Sequence, residues 1–259
     1  MDFLGIRLNR HSITINPTKV KGLTDWPREL NNIKEICKVL RVLGYQRPFI
    51  PNFISFAWLL TNLLKKDTPF EWTPKCHASL ETLIDIVTLL PIVVASDQEQ
   101  QFELEVDASQ FAIGTILWQW DPANPKKLYA CGYYSATLLP TEWNYKVFNR
   151  ELLGIIHALY HWSHLLYSTV LSILIWTDHW NLTYWIDPHK VGPCATTWQV
   201  KLTQYNYELR HKPEETMKAN ALSRHPDFDT GNPMNEHLIV LPLNRFKEMP
   251  KSVAKTLGM

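Results

Sequence analysis

Cysteine is scarce in this sequence, and the few cysteines that occur do not cluster. There are four in 259 residues, and they are far apart along the chain: Cys37, Cys76, Cys131 and Cys194. This spacing lacks the close pairs of a structural zinc site, and it does not fit the dense disulfide framework of a small secreted domain. We therefore expect free thiols in a reducing compartment.

The sequence also lacks a signal peptide and an apolar run long enough to span a membrane. These absences predict an intracellular protein with no membrane partner, in either the cytoplasm or the nucleus. An excess of one charge is missing too, because the formal net charge is only +1. Composition alone therefore does not indicate a nucleic-acid-binding protein.

Apolar and aromatic residues are plentiful by contrast. The chain is 46% hydrophobic and 20% charged, which is ordinary for a globular protein, and its length suits one or two domains. It contains eleven tryptophans. Tryptophan brings a large apolar surface, so we expect these residues to fill the core and to form exposed stacking surfaces.

The spacing of apolar residues divides the chain into a helical part and a mixed part. Residues 28–64 and the stretch after Pro74 follow the period of a helix, whereas the chain from Phe102 onward follows the order βββαβα(α)βα. The five predicted strands are 102–109, 112–120, 128–137, 171–176 and 207–211. The predicted fold class is α/β (mixed α+β), a five-stranded mixed sheet with flanking helices that follows a small helical module.

Breaks in this pattern predict four parts of the chain. They are a strand-containing opening at 1–24, a mainly helical module at 25–97, the mixed-sheet domain at 98–226, and a linker or docking tail at 227–259. Because the opening begins inside a strand pattern, we expect that a preceding part has been lost.

The segment FELEVDAS, residues 102–109, combines a strand pattern with a carboxylate at its end. Phe102, Leu104 and Val106 alternate with acidic residues, which is the period of a half-buried strand. Asp107 is the last acidic residue of the alternation. It is either a solvated aspartate at a strand end or a ligand held at an open edge of the sheet.

Two further acidic residues are predicted to meet Asp107. Asp178 follows the apolar run LSILIWT, a strand that we expect to be central and adjacent to the first one. Glu151 lies on an otherwise apolar helix face, so its side chain points toward the sheet, where an unpaired carboxylate is costly. Three convergent carboxylates are hard oxygen ligands for Mg²⁺ or Mn²⁺, the alternative being ordinary buried or capping acids.

The ordered motifs of the chain resemble one known family. The motifs of the mixed part are FELEVDAS–AIGTILWQ, YYSATLLPTEWNY–NRELLGIIHAL, IWTDHWNLTYW and ANALSRHPD. In this order and spacing they resemble the ribonuclease H domain of gypsy-type LTR retrotransposon polymerases. Upstream, KVLRVLGYQRPFIPNF and LTNLLKKDTPFEWTPKC resemble the thumb and connection, and FLGIRL–ITINPTKVKGLTDWP resembles the end of the reverse transcriptase palm.

The resemblance implies a function and a set of site residues. It implies a ribonuclease H-like fold and endonucleolytic cleavage of RNA in RNA–DNA hybrids by a two-ion Mg²⁺ or Mn²⁺ site. Asp107, Glu151 and Asp178 match the family's catalytic metal ligands. The resemblance also implies polyprotein partners, namely an upstream polymerase and a downstream integrase. Ser109, Ser135 and Arg224 are candidates for nucleic-acid contacts, the alternative being surface or capping groups.

The chain departs from the family pattern at two points that bear on activity. Where the family motif reads ADALSR, with an aspartate as the fourth metal ligand, this chain has Asn220, so we expect weakened or absent cleavage. No Asp-Asp pair of the polymerase type occurs in the sequence, so DNA synthesis by this chain alone is not expected. Two alternatives follow: a catalytically inactive remnant that binds nucleic acid, or a folded chain without function.

Overall fold

The computed structural model describes residues 2–3, 6–8, 13–51, 53–66, 68–89, 93–121, 124–179, 193–213 and 216–219. Within these residues the chain forms a small strand-and-helix module followed by a five-stranded sheet with helices. No helix in the described segments is both long enough and apolar enough to cross a membrane.

The first module begins with a three-stranded antiparallel sheet and continues with four α-helices. The strands are β1 (Asp2–Phe3), β2 (Ile6–Leu8) and β3 (Ile13–Ile15). The helices are α1 (Pro17–Thr24), α2 (Ile33–Tyr45), α3 (Phe53–Asn62) and α4 (Pro74–Leu89), with a 3₁₀ turn at Arg47–Phe49 between α2 and α3. Their apolar faces form one core, which includes Ile36, Leu43, Leu60 and Leu80.

Helix α1 was not predicted from apolar spacing, and a capping signal accounts for it. Asn16 accepts a hydrogen bond from the backbone N–H of Thr18 at 2.9 Å, and Pro17 occupies the first helical position. Both residues are favoured at helix starts, so the sequence carried a start signal although the helix has only one buried residue, Leu23.

The second part is the predicted five-stranded mixed sheet. Its strands are β4 (Glu103–Ala108), β5 (Ala112–Asp121), β6 (Asn124–Thr137), β7 (Ile173–Thr177) and β8 (Tyr207–His211). The order in the sheet is β6-β5-β4-β7-β8, with β4, β5 and β6 antiparallel and with β7 parallel to both β4 and β8. The fold class and the adjacency of β4 and β7 are thereby confirmed.

Among the described residues, three helices lie between the later strands: α5 (Val147–His161), α6 (Ser163–Leu166) and α7 (Pro193–Leu202). Leu152, Ile155 and Leu159 of α5 pack with Leu104 and Val106 of β4 in the main core of the sheet. The sequence also predicts a short helical segment through Trp185 and a last short helix at 216–224; the first lies outside the described residues, and so does most of the second.

Strand β4 is not half-buried, as its alternation predicted, but buried on both faces. The prediction was wrong because tryptophans cover the acidic face. Glu103 accepts hydrogen bonds from the indole N–H groups of Trp120 at 2.6 Å and Trp176 at 2.8 Å, and Glu105 accepts one from Trp118 at 3.0 Å. Because the indole N–H groups donate hydrogen bonds to these carboxylates, the acidic face of β4 can be buried away from water.

Helix α5 approaches β4 closely at Gly154. A Cβ atom at Gly154 would lie 3.0 Å from Cγ1 of Val106 and 3.6 Å from the Cβ of Ala108. The 3.0 Å distance to Val106 is too short for ordinary packing, so the absence of a side chain at Gly154 allows the helix to lie this close to the strand. Glu151 lies one turn before Gly154 on the same helix face, and the close approach therefore brings its carboxylate toward the end of β4.

We expect Gly154→Ala to destabilise the fold by about 1 kcal/mol, because overpacking outweighs the gain in helix propensity. Gly44→Ala is the matched control: it also lies within a helix, and its new Cβ would meet no atom within 4 Å. That change is expected to stabilise the protein by about 0.5–1 kcal/mol. Urea unfolding measures the free energy of unfolding of both variants. If Gly154→Ala stabilised the protein as much as Gly44→Ala, the close approach of α5 to β4 would be contradicted.

Candidate functional site

Strands β4 and β7 bring Asp107 and Asp178 to the same edge of the sheet. Asp107 is the penultimate residue of β4, and Asp178 directly follows β7. The last paired residues of these parallel strands are Glu105 and Trp176. Two residues further along each strand are Asp107 and Asp178, so the register alone places them side by side.

Glu151 completes the predicted cluster from helix α5. Its side chain is only 3% exposed and points toward the sheet, as its position on an apolar helix face predicted. One carboxylate oxygen from each of Asp107, Glu151 and Asp178 lies within 4.8 Å of the others. Asp107 and Glu151 are buried, whereas Asp178 is half-buried.

The Glu151 carboxylate is only partly satisfied by the protein. Its Oε1 accepts a hydrogen bond from the backbone N–H of Ala108 at 3.2 Å, while its buried Oε2 has no hydrogen-bond partner among the described residues. Burial, followed by the charges of Asp107 and Asp178, raises the pKa of Glu151 well above its usual value, and Ala108 and Arg150 oppose the shift. A buried acceptor without a donor and three converging hard oxygen ligands fit a divalent cation.

Two basic residues that the sequence did not single out border this cluster. Arg150 is 4% exposed and lies close enough for its charge to oppose the rise in the Glu151 pKa. His211, the last residue of β8, makes a 3.0 Å hydrogen bond from Nε2 to the backbone carbonyl of Asp178. Register could have indicated His211, because it pairs with Thr177, directly before Asp178.

We expect Glu151→Gln to stabilise the metal-free protein at pH 8 by about 1–3 kcal/mol, the usual cost of a buried, poorly satisfied group. A carboxyl whose pKa is raised by folding contributes stability below its unfolded pKa, about 4.3, and loses it as pH rises through the folded pKa. The difference between variant and wild type should therefore grow with pH and be small near pH 4. Thermal unfolding in EDTA at several pH values measures it.

Glu105→Gln provides the matched control for this prediction. Glu105 is also buried and acidic, but its Oε2 lies 3.5 Å from the ammonium of Lys212 and accepts the indole N–H of Trp118. Glutamine cannot form that ion pair, so the variant should lose stability at pH 8. If Glu151→Gln also loses stability, the carboxylate at 151 is better satisfied than its contacts indicate.

Comparison with known proteins identifies the type of domain that carries this cluster. Residues 72–173 match the family described as the RNase H-like domain found in reverse transcriptase. The chain is 33% identical over 225 residues to the transposon Tf2-3 and Tf2-4 polyproteins of Schizosaccharomyces pombe. The match covers 86% of this chain and 17% of each polyprotein, so the chain spans about one sixth of these relatives.

These matches support a fragment of an LTR retrotransposon polymerase. Solved structures agree in fold. The foamy viral protease-reverse transcriptase in complex with RNA/DNA hybrid matches 96% of this chain and 32% of its own length, with a TM-score of 0.66 and 17% identity. The same protein in complex with dsDNA matches 82% of this chain and 44% of its own length, with a TM-score of 0.64 and 16% identity.

Of the remaining predicted site residues, Ser109 and Ser135 lie within the described part of the chain. The Ser109 hydroxyl accepts the backbone N–H of Ala112 at 3.0 Å and so caps the turn between β4 and β5. Ser135 is 3% exposed; its hydroxyl accepts the backbone N–H of Ile54, and its carbonyl accepts a hydrogen bond from Arg47. Ser135 thus joins the helical module to the sheet. Asn220 and Arg224 lie outside the described residues.

Proposed function

We propose that this chain is a divalent-metal-dependent ribonuclease that cleaves the RNA strand of RNA–DNA hybrids and leaves 3′-hydroxyl and 5′-phosphate ends. The single observation that carries the proposal is the approach of three carboxylates, one from each of β4, α5 and the end of β7, to within 4.8 Å of one another. A buried cluster of like charges is unfavourable unless a cation binds it. We do not expect DNA synthesis from this chain alone.

Asp107, Glu151 and Asp178 would hold the ions, with Mg²⁺ or Mn²⁺ as the expected metal. When bound, a pair of such ions activates a water molecule and stabilises the leaving oxygen of a phosphodiester. The protein's contribution is to fix the three carboxylates: β4 and β7 through their register, and α5 through its close approach at Gly154. Asn220 offers a neutral oxygen at the family's fourth ligand position, so the second ion would be held weakly.

An RNA–DNA hybrid is the proposed substrate, recognised by its shape, its 2′-hydroxyls and its phosphates. The foamy viral relative in fold was solved in complex with such a hybrid. Because the matched relatives are polyproteins, an upstream polymerase and a downstream integrase are the proposed partners within one precursor. Ser109 and Arg224 stay predicted nucleic-acid contacts, and the buried hydroxyl of Ser135 makes a direct contact by that residue unfavourable.

The test is incubation of the purified chain with an end-labelled RNA–DNA hybrid in Mg²⁺ or Mn²⁺. We expect slow cleavage of the RNA strand that is faster in Mn²⁺ and abolished by EDTA, while double-stranded DNA of the same sequence stays intact. Absence of cleavage by the chain, together with no gain on Asn220→Asp, would exclude the nuclease function.

One observation favours a second function, nucleic-acid binding without cleavage. Lys34, Lys38 and Arg41 are exposed and lie at intervals of four and three residues, which puts three cations on one face of α2. Such a stripe suits a phosphate backbone. If binding is the function, hybrid affinity should fall steeply with salt, and Lys38→Glu should weaken it while the acidic cluster stays intact.

A further inference from the structure

A cavity of about 800 Å³ lies between α5 and α7. Its walls come from β6, from these two helices and from the turns that follow α6 and α7. Successive residues of an α-helix are rotated by about 100°, so Leu153 and Tyr160 in the wall lie about 180–200° around the axis of α5 from Glu151. The cavity and the acidic cluster are therefore on opposite sides of α5.

Aromatic rings make up much of the cavity wall. Tyr134 stacks on His161 with ring centres 4.4 Å apart, and Tyr167 stacks on Tyr205 with ring centres 4.7 Å apart. Tyr160 also lines the cavity and is 77% exposed. Aromatic side chains bind other planar rings by stacking, which removes both surfaces from water. The wall therefore suits a ligand that contains a planar ring.

Polar groups in the same wall are only partly used by the protein. The Tyr134 hydroxyl lies 3.4 Å from Nδ1 of His157, whose Nε2 has no partner among the described residues. The amide oxygen of Gln204 accepts the Tyr167 hydroxyl at 3.2 Å, and its amide N–H groups have no acceptor within the described part of the chain. A purely apolar ligand would leave these groups unsatisfied, so the ring should carry hydrogen-bonding atoms.

The charges around the cavity favour an anionic ligand. Lys201 lines the cavity, and the positive charge of Arg47 acts on His161. Burial lowers the pKa of both His157 and His161, so above pH 7 their rings are uncharged and offer aromatic surface and hydrogen bonds. The carboxylate of Glu142 opposes this shift at His157 but does not line the cavity. Lys201 is therefore left to pair with an anionic group of a ligand.

We propose that this cavity binds a nucleotide, with its base against the tyrosine and histidine rings and its phosphate at Lys201. A base is a planar ring that carries donors and acceptors, and the phosphate supplies the negative charge. One ligand thus matches the rings, the unused polar groups and the cation of the wall. The ligand is a free nucleotide or an unpaired nucleotide of a strand, which share this chemistry. The site needs no metal ion and does not rest on the proposed nuclease function.

Calorimetric titrations in EDTA at pH 7.5 test the chemistry of the site. The ligands are adenosine 5′-monophosphate (AMP), adenosine and ribose 5-phosphate. We expect AMP to bind saturably at one site, adenosine to bind at least about fivefold more weakly, and ribose 5-phosphate not to bind. Absence of saturable AMP binding, or equal binding of ribose 5-phosphate, would overturn the proposal. EDTA keeps this outcome independent of the proposed metal site.

Two exposed residues of the wall separate the contributions of phosphate and base. Lys201→Gln should weaken AMP binding at least about fivefold and leave adenosine binding unchanged, whereas Tyr160→Ala should weaken both by a similar factor. Lys19→Gln on α1 and Tyr45→Ala on α2 make the same changes at exposed positions of the first module and should alter neither. Unchanged AMP binding in both wall variants, or equal weakening in the controls, would overturn the proposal.

Ring resonances of the ¹⁵N-histidine-labelled chain locate the ligand. AMP should shift those of His157 and His161 and leave that of His77 on α4 unchanged. Shifts that spare His157 and His161 would overturn the proposal. A single-stranded tetranucleotide then identifies the source of the ligand: binding at least about tenfold tighter than that of AMP assigns the site to a strand, and equal or weaker binding assigns it to a free nucleotide.

Discussion

Asp107→Asn should lower hybrid cleavage by more than about a hundredfold and abolish tight Mn²⁺ binding. Even residues that only orient metal ligands cost about 10- to 100-fold when they are mutated, and Asp107 is proposed as a ligand itself. The same change should stabilise the metal-free protein, because the charge of Asp107 contributes to the raised pKa of Glu151. Loss of function combined with a gain in stability separates a ligand from a structural residue.

Cleavage assays, Mn²⁺ calorimetry and thermal unfolding in EDTA measure these three effects. The control is Asp121→Asn. Asp121 is the last residue of β5, which runs antiparallel to β4, so it lies at the opposite end of the strands from Asp107. Asp121 accepts a hydrogen bond from the Tyr129 hydroxyl at 2.9 Å, and asparagine keeps that acceptor. If Asp107→Asn behaves like Asp121→Asn, then Asp107 is an ordinary strand-end aspartate.

Asn220→Asp should raise the cleavage rate about 10- to 100-fold and lower the Mn²⁺ concentration needed for half-maximal rate. One unit charge at 4 Å is worth about 4 kcal/mol at an effective dielectric constant of 20, and about 1.4 kcal/mol corresponds to a tenfold rate. The expected gain is therefore well below the full Coulomb energy, which allows for screening and for the cost of desolvating the new carboxylate.

A titration of rate against Mn²⁺ and Mg²⁺ concentration measures this gain. Asn124→Asp is the control, since it adds the same charge at an exposed position on β6, where the side chain accepts the backbone N–H of Lys126. A rate increase of similar size in Asn124→Asp would attribute the effect to net charge. No change in Asn220→Asp would instead point to the nucleic-acid-binding function.

Local pattern predicted most of the sheet and the members of its acidic cluster. The strand predicted at Tyr207–His211 has the same bounds in the structure, and the apolar run ending at Trp176 forms a central strand. The sequence predicted that Asp107, Glu151 and Asp178 lie close together. The positions of Asp107 and Asp178 were predicted from the ends of two neighbouring strands, and that of Glu151 from the period of its helix. These are short-range signals that a single sequence contains.

The partners of the β4 carboxylates could not be predicted, since they are contacts between distant residues. Nothing near Glu105 in sequence indicates Lys218, which is 113 positions away. The alternation of FELEVDAS predicted solvent on one face, and only the folded sheet shows tryptophans there. Periodicity indicates which face of an element is apolar, but it does not indicate what covers the polar face.

The bridge that Glu103 makes between Trp120 and Trp176 has a consequence for the order in which the chain assembles. Strands β4, β5 and β6 are contiguous and leave the ribosome together, whereas β7 follows only after α5. Until β7 arrives, β4 is an open edge strand, and an open edge invites pairing with other chains. Before β7 pairs with β4, the three carboxylates of β4 place negative charge along this edge strand. Trp176 of β7 donates its hydrogen bond to Glu103 only once β7 has paired with β4.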